Sequence, residues 1–235
     1  MEIEALVFDV FGTLVDWRTS LIDDLTAFGT QRGIAADWPA FVDAWRAEYV
    51  PSMNRVRTGE EPWQTLDELH RASFDRLAVR FGIAAALSED DRGWCVDRWH
   101  RLRPWPDTVR GLTRLRTRYI VATLSNGNVR LLVDLARSAP LPMDAIFSAE
   151  LFRRYKRDPE VYRGAVALLG TAPERVMLVA AHNDDLHAAR AEGLRSAFVL
   201  RPAEYGPHQH HDLAADPGHD VAVRDLEELA DRLGT

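Results

Sequence analysis

The chain has 235 residues, 46% of them hydrophobic, a formal net charge of -7 and one cysteine, Cys95. That length and apolar content suffice to bury a full core, and the acidic balance excludes nucleic acid as the main partner, since no basic surplus exists to neutralise a phosphate backbone. A single cysteine cannot form an internal disulfide, the opening Met-Glu-Ile-Glu lacks the regions of a signal peptide, and no apolar stretch approaches the roughly 20 residues that span a bilayer, so a cytoplasmic protein with no membrane partner is expected.

In chain order, Ile3 to Val10 (IEALVFDV) is a short, almost continuously apolar run that reaches Asp9 and is followed by Phe11, Gly12 and Thr13. Such a run fits a parallel strand covered on both faces. From Asp16 to about Leu102 the character changes to long amphipathic stretches, with four of the seven tryptophans (Trp38, Trp45, Trp63, Trp94) and no strand pattern. This predicts a helical insertion, a cap spanning 16–102, within a core formed by 1–15 and 103–235. Arg103 to Pro106 (RPWP) returns the chain to the core, because paired prolines favour extended backbone.

Three more strand-like runs follow: Tyr119 to Leu124, ending at Ser125-Asn126-Gly127; Val176 to Ala181, ending at His182-Asn183-Asp184-Asp185; and Ala197 to Leu200, ending at Arg201-Pro202. Helical patterns at Thr108 to Arg118, Val129 to Ala136, Pro159 to Leu169 and Leu186 to Gly193 separate them. This alternation predicts right-handed βαβ units and a Rossmann-like α/β fold, a doubly wound parallel sheet. Ligands in such folds sit beyond the carboxyl ends of the strands. Three strand ends there carry chemistry: Asp9, the Ser125-Asn126 pair and the His182 to Asp185 cluster. A carboxylate at Asp9 can act as a nucleophile if its neighbours hold it in line with an electrophile; in isolation it reads more readily as an N-cap or loop acid.

Taken in order, DVFGTL at 9–14, LSNGN at 124–128, YKRDPEVY at 155–162 and VAAHNDDLHAARAEGL at 179–194, followed by Arg201-Pro202, resemble the motifs of the haloacid dehalogenase superfamily and, within it, the type II 2-haloacid dehalogenases. The resemblance covers essentially the whole chain. It implies hydrolysis of a short 2-haloacid, haloacetate or an L-2-haloalkanoate, to the 2-hydroxy acid and halide through an ester on Asp9. Phosphatases of the superfamily carry a second acid two positions after the nucleophile, where this chain has Phe11, and a metal-binding Asp after the third core strand, where it has Ala180. No metal and no cofactor are therefore expected.

The roles implied are these. Lys156 keeps Asp9 ionised; Asp185 positions or activates water, although the same residue reads as a helix N-cap ahead of Leu186; Tyr162 orients Lys156 or Asp185. Thr13 bonds the Asp9 carboxylate, the Val10 and Phe11 amides add donors, and Ser125 and Asn126 hold the substrate carboxylate near the leaving halide. From the cap, Trp45-Arg46 makes Arg46 the candidate halide contact, with Arg18 and Arg55 as alternatives. His182 stands where some members have Asn and is a candidate donor, Asn183 joins the catalytic group, and Asp184 replaces a frequent Trp, giving a more polar pocket or an outward-turned side chain. Two other readings stay open: a magnesium-dependent phosphatase of the same superfamily, and a non-catalytic binding protein. Cap-to-cap homodimers occur in the family, and the tryptophan-rich insertion permits one.

Overall fold

The computed structural model describes residues 2–235. Strand β1 (Ala5–Phe8) leads through a tight loop to the two-residue β2 (Val15–Asp16). Five helices follow: α1 (Trp17–Arg32), α2 (Trp38–Ala47), α3 (Tyr49–Arg57), α4 (Leu66–Arg80) and α5 (Glu89–Asp97). The chain returns at β3 (Arg103–Pro104), which pairs antiparallel with β2, Val15 opposite Pro104 and Asp16 opposite Arg103. Helices and strands then alternate as far as β7: α6 (Thr108–Leu115), β4 (Ile120–Ser125), α7 (Val129–Ser138), β5 (Ala145–Ser148), α8 (Pro159–Leu169), β6 (Val176–Ala180), α9 (Asn183–Ala191) and β7 (Arg195–Val199), followed by β8 (Val221–Val223) and α10 (Leu226–Leu233).

The main sheet has the order β5-β4-β1-β6-β7-β8 with every pair parallel. β1 lies between β4 and β6, all four of its residues are buried, and its alternate side chains enter two separate apolar clusters. Leu6 and Phe8 join leucines of α6, α7 and α10, while Ala5 and Val7 join Val161 and Ala165 of α8 and Leu186 and Ala189 of α9. Helices therefore cover both faces, which is why this strand reads as an unbroken apolar run. The fold is the expected doubly wound α/β sheet.

The first of those clusters continues without a break into the helical insertion, taking in Trp17, Leu21, Phe41, Trp45, Phe74 and Trp99. Trp99, at 0% exposure, meets Phe11 edge-on at 5.8 Å and Trp45 at 5.6 Å. Aromatic pairs in such geometry contribute about 0.5–1.5 kcal/mol beyond their buried area. The tryptophans thus pack the insertion onto the loop that carries Asp9.

Three sequence expectations need correction. Two strands, β5 and β8, were not anticipated: they are four and three residues long and lie at the sheet edges, with half-exposed positions that dilute the apolar signal. Helix α9 starts at Asn183, with His182 at the N-cap position, so Asp185 lies in its first turn and is not a cap. The helical pattern at 108–118 ends as a helix at Leu115, three residues early.

Candidate active site

The sheet register brings Asp9 to the end of the central strand, where its N–H still donates to the Val179 carbonyl at 3.0 Å. The loop beyond is tied down from several sides. Trp105 Nε1 donates to the Gly12 carbonyl at 2.8 Å, Thr108 Oγ1 to Leu14 O at 2.8 Å, and buried Arg201 Nε to Thr13 O at 3.0 Å. Arg201 is itself held by a bidentate pair with Asp107 at 2.7 and 2.8 Å. Thr13 Oγ1 donates to Asp9 Oδ2 at 2.8 Å and accepts from the Ala181 N–H at 2.9 Å. The nucleophile's carboxylate is thereby fixed through Thr13 to the end of β6.

Lys156 Nζ donates to Asp185 Oδ2 at 2.7 Å and lies 3.4 Å from Asp9 Oδ1; Tyr162 donates its hydroxyl to Asp185 Oδ1 at 2.6 Å. All four side chains are buried. Burial alone would raise the Asp9 carboxyl, but the Lys156 ammonium, His182 and the Thr13 hydroxyl outweigh it and hold it well below the usual carboxylate range. Asp185 moves the other way: burial, together with the Asp9 charge, raises it despite Lys156 and Tyr162. Lys156, pulled down by burial, is held above its ordinary value by Asp185 and Asp9 and stays an ammonium. Two neighbouring carboxyls whose environments separate their proton affinities suit different roles, one permanently ionised and one able to take a proton.

A cavity of about 510 Å³ opens over Asp9, walled by Phe11, Arg46, Tyr49, Lys156 and His182. Arg46 comes from α2, its guanidinium 4.1 Å from the Tyr49 ring centre and 5.2 Å from that of Trp17. Its NH1 is buried and has no protein partner. Burial opposes the charge, yet Tyr205, Tyr49 and Glu204 together keep this arginine more firmly protonated than usual. A buried cationic donor left free in a cavity is a place for an anion.

His182 lies with Nδ1 3.3 Å from Asp9 Oδ2 and Nε2 2.9 Å from Glu204 Oε2. Glu204, 1% exposed, also accepts from Trp17 Nε1 at 3.0 Å and stands 3.8 Å from Arg46. Gly12 makes room for it: a Cβ there would come within 2.1 Å of Glu204 Oε1, and Gly12 has φ +87°, a region that favours glycine.

The other expected residues divide. Asn126 lines the cavity and accepts from the Lys156 N–H at 2.8 Å, positioning that lysine. Ser125 is wholly buried, off the cavity wall, and its hydroxyl accepts from the Gly127 N–H at 3.3 Å. The Val10 side chain is likewise buried, its carbonyl accepting from Leu14, whereas the Phe11 side chain forms cavity wall. Asn183 faces away, bonding Asp212 Oδ1 at 2.9 Å, Ala214 O at 3.0 Å and the Asp216 N–H at 2.8 Å, so it braces the 212–219 loop. Asp184, half-exposed, turns to the rim of the cavity and pairs there with Arg157. Arg18 and Arg55 are engaged by Asp43 at 2.7 Å and Glu61 at 2.8 Å, and neither lines the cavity. Sequence reasoning missed Glu204, Tyr49 as a wall, and Tyr205; the one local signal for Glu204 was its place two residues after the Arg201-Pro202 motif.

Comparison with known proteins gives a consistent result. A family model described as "haloacid dehalogenase-like hydrolase" matches residues 3–193. Among curated proteins, (S)-2-haloacid dehalogenase 4A of Burkholderia cepacia is 29% identical over 215 residues, 86% of this chain and 87% of that protein. Among solved structures, the L-2-haloacid dehalogenase PA0810 is 50% identical with a TM-score of 0.96, covering 99% of each chain. The defluorinating L-2-haloacid dehalogenase Rha0230 is 42% identical with a TM-score of 0.97, covering 99% of this chain and 96% of its own. Matched by that model over most of its length and end to end by a structure half identical in sequence, the chain belongs to the haloacid dehalogenase-like hydrolases.

Proposed function

We propose that this protein hydrolyses the carbon–halogen bond of short 2-haloacids, giving the 2-hydroxy acid and halide through an ester on Asp9. The observation that carries this reading is that an ionised, buried Asp9 and Arg46, whose buried NH1 has no protein partner, line one cavity. Asp9 Oδ1, with a single donor at 3.4 Å, is the freer oxygen, whereas Oδ2 accepts from Thr13 and faces His182. Oδ1 attacks the carbon bearing the halogen; the C–O bond forms as the C–X bond breaks, the halide leaves with the bonding pair toward Arg46, and the in-line geometry inverts the carbon. Water then attacks the ester carbonyl carbon while Asp185 takes its proton, and cleavage releases the hydroxy acid. Lys156 and Tyr162 hold Asp185 for that step.

The division into a core (1–15, 103–235) and a cap (16–102) belongs to the same proposal, because the nucleophile then comes from the core and the halide-binding arginine from the cap. A phosphatase would need an acid to protonate its leaving group; Phe11, at that position, is 2% exposed against Trp99. The test is halide release from chloroacetate, bromoacetate and fluoroacetate by purified protein. Release abolished by Asp9→Asn supports the reading, and full release by that variant overturns it.

A further inference from the structure

His182 lies between two carboxylates, and both are acceptors: Asp9 Oδ2 at 3.3 Å from Nδ1, and Glu204 at 2.9 and 3.1 Å from Nε2. A neutral imidazole carries one N–H, so either tautomer would turn a ring lone pair toward a carboxylate; only the doubly protonated ring satisfies both. Other charges reach the ring through these neighbours or lie close by. Lys156 is beyond Asp9, Arg46 beyond Glu204 at 3.8 Å, and Asp185 and Asp212 line the same cavity. Glu204 has no other cation within 3.5 Å among the described residues, so its charge is directed at His182.

Resting on the dehalogenase reading, we propose that His182, kept as an imidazolium by Glu204, forms with Thr13 the oxyanion site for hydrolysis of the Asp9 ester, a catalytic role for His182 and a positioning role for Glu204. Once Oδ1 has become the ester oxygen, Oδ2 is the carbonyl oxygen. It is the atom that the Thr13 hydroxyl already meets at 2.8 Å and His182 faces at 3.3 Å. When water adds to the carbonyl carbon and Asp185 removes its proton, the π electrons move to Oδ2 and the new negative charge develops between those two donors. On collapse the pair returns, the bond from the carbonyl carbon to Oδ1 breaks, and the hydroxy acid leaves with Oδ1 after taking the proton held by Asp185. The second proton of the water stays on the new oxygen at collapse and is then lost to solvent, as expected of a carboxyl held below the usual range, so Asp9 regains a carboxylate whose second oxygen came from water. Donors already aimed at the atom where charge appears act in the transition state rather than merely on the resting enzyme. Alkylation moves charge the opposite way, out of the Asp9 carboxylate, so the same cation does not assist it. The two half-reactions therefore respond oppositely to His182.

That asymmetry supplies the experiment. With chloroacetate, rapid quench and intact-mass analysis follow the Asp9 ester while released chloride follows turnover. His182→Ala is expected to keep forming the ester and to slow its hydrolysis by about a hundredfold, the scale of losing one oxyanion donor, so that ester accumulates during turnover. Glu204→Gln keeps the shape and removes the charge; the basic limb of its kcat profile is expected to move to lower pH by more than about one unit, since the anion that holds the proton on His182 is gone. Equal slowing of both steps in His182→Ala with no added ester, or a Glu204→Gln profile that overlays the wild type, overturns the proposal. Absence of chloride release by the wild-type protein itself overturns the dehalogenase reading instead.

Discussion

Lys156 Nζ stands 2.7 Å from Asp185 and shares its single charge with a second carboxylate, Asp9, 3.4 Å away, all three side chains being largely buried. One ammonium thus serves the nucleophile and the base together. Replacing it with a neutral chain of similar length, Lys156→Met, leaves two buried acids facing each other, and one of them must take up a proton. Asp9 is held below its ordinary range chiefly by this lysine against the cost of burial, so wild-type Asp9 stays ionised through the neutral range. Without Lys156 its carboxyl rises, and activity falls as pH drops through that higher value. The expected result is an acid limb of kcat/KM displaced upward and a stability loss of about 3–5 kcal/mol, the usual cost of leaving a buried charge unpaired. A pH series of kcat/KM and a denaturant melt measure both; an unmoved acid limb would mean that Asp9 does not depend on Lys156.

Three arginines of the helical insertion were candidates for the halide, and their partners separate them. Arg18 is engaged by Asp43 and Arg55 by Glu61, whereas Arg46 NH1 is buried and without a partner. Arg46→Ala should lower kcat/KM by about a hundredfold or more, because a preorganised charge in a dry site is worth far more than one in water. Arg18→Ala and Arg55→Ala remove partly exposed pairs and should change it by less than about fivefold, in keeping with the 0–1 kcal/mol of such contacts. Parallel kinetics on the three variants decide the assignment, and equal losses in all three would remove Arg46 from its role.

The residues legible in the sequence are those placed by backbone alone. Asp9, Asp185 and His182 lie at or near the ends of apolar runs, and a parallel sheet delivers every strand end to one edge; Lys156, eight residues past the unanticipated β5, was legible only through the resemblance carried by YKRDPEVY. Tyr162 was legible six residues beyond the lysine, in the first turn of the helical pattern that starts at Pro159. The unreadable part depends on side-chain direction and on long-range packing. Asn183 follows His182 by one residue, but a helical step of about 100° sends its amide to the 212–219 loop. Glu204 is an isolated acid in a loop, with no periodicity to mark it, and gains its place only when that loop folds back against Gly12, 192 positions earlier. Arg46 could not be separated from Arg18 because the Arg18–Asp43 pair joins two helices 25 residues apart, outside any local spacing rule.

Metal removal should leave the reaction untouched. Both oxygens of Asp185 already accept, from Tyr162 at 2.6 Å and Lys156 at 2.7 Å, while Asp184 pairs with Arg157 and Ala180 offers no donor. Among the described residues no three His, Cys, Asp or Glu side chains are grouped as metal ligands. A magnesium ion, which demands near-octahedral oxygen coordination, would find Asp9 engaged as well, by Thr13 at 2.8 Å and Lys156 at 3.4 Å. The expected outcome is the same halide release rate in EDTA as in added magnesium. A rate that collapses in EDTA and returns with magnesium would contradict this account of the site.

A second histidine between two acids joins the insertion to the core. His100, just after α5, bonds Asp134 of α7 at 3.0 Å through Nδ1 and Asp67 of α4 at 3.1 Å through Nε2. Asn128, ahead of α7, donates to the same Asp67 at 2.8 Å. Partial burial lowers the affinity of His100 for its proton, but Asp67 and Asp134 more than restore it, leaving it above its ordinary value near 6.5. A histidine raised in the folded state contributes stability that is fully present below the unfolded value and is lost as pH climbs through the folded one. Between pH 6 and pH 9 the wild-type protein should therefore lose more of its Tm than His100→Gln, which carries no titrating ring. At pH 6 the variant should melt lower, at roughly 2–4 °C for each kcal/mol lost in a chain of this length. Calorimetric scans of both proteins across that range give the comparison. Two parallel Tm curves would show that the junction between α4 and α7 does not depend on a charged His100.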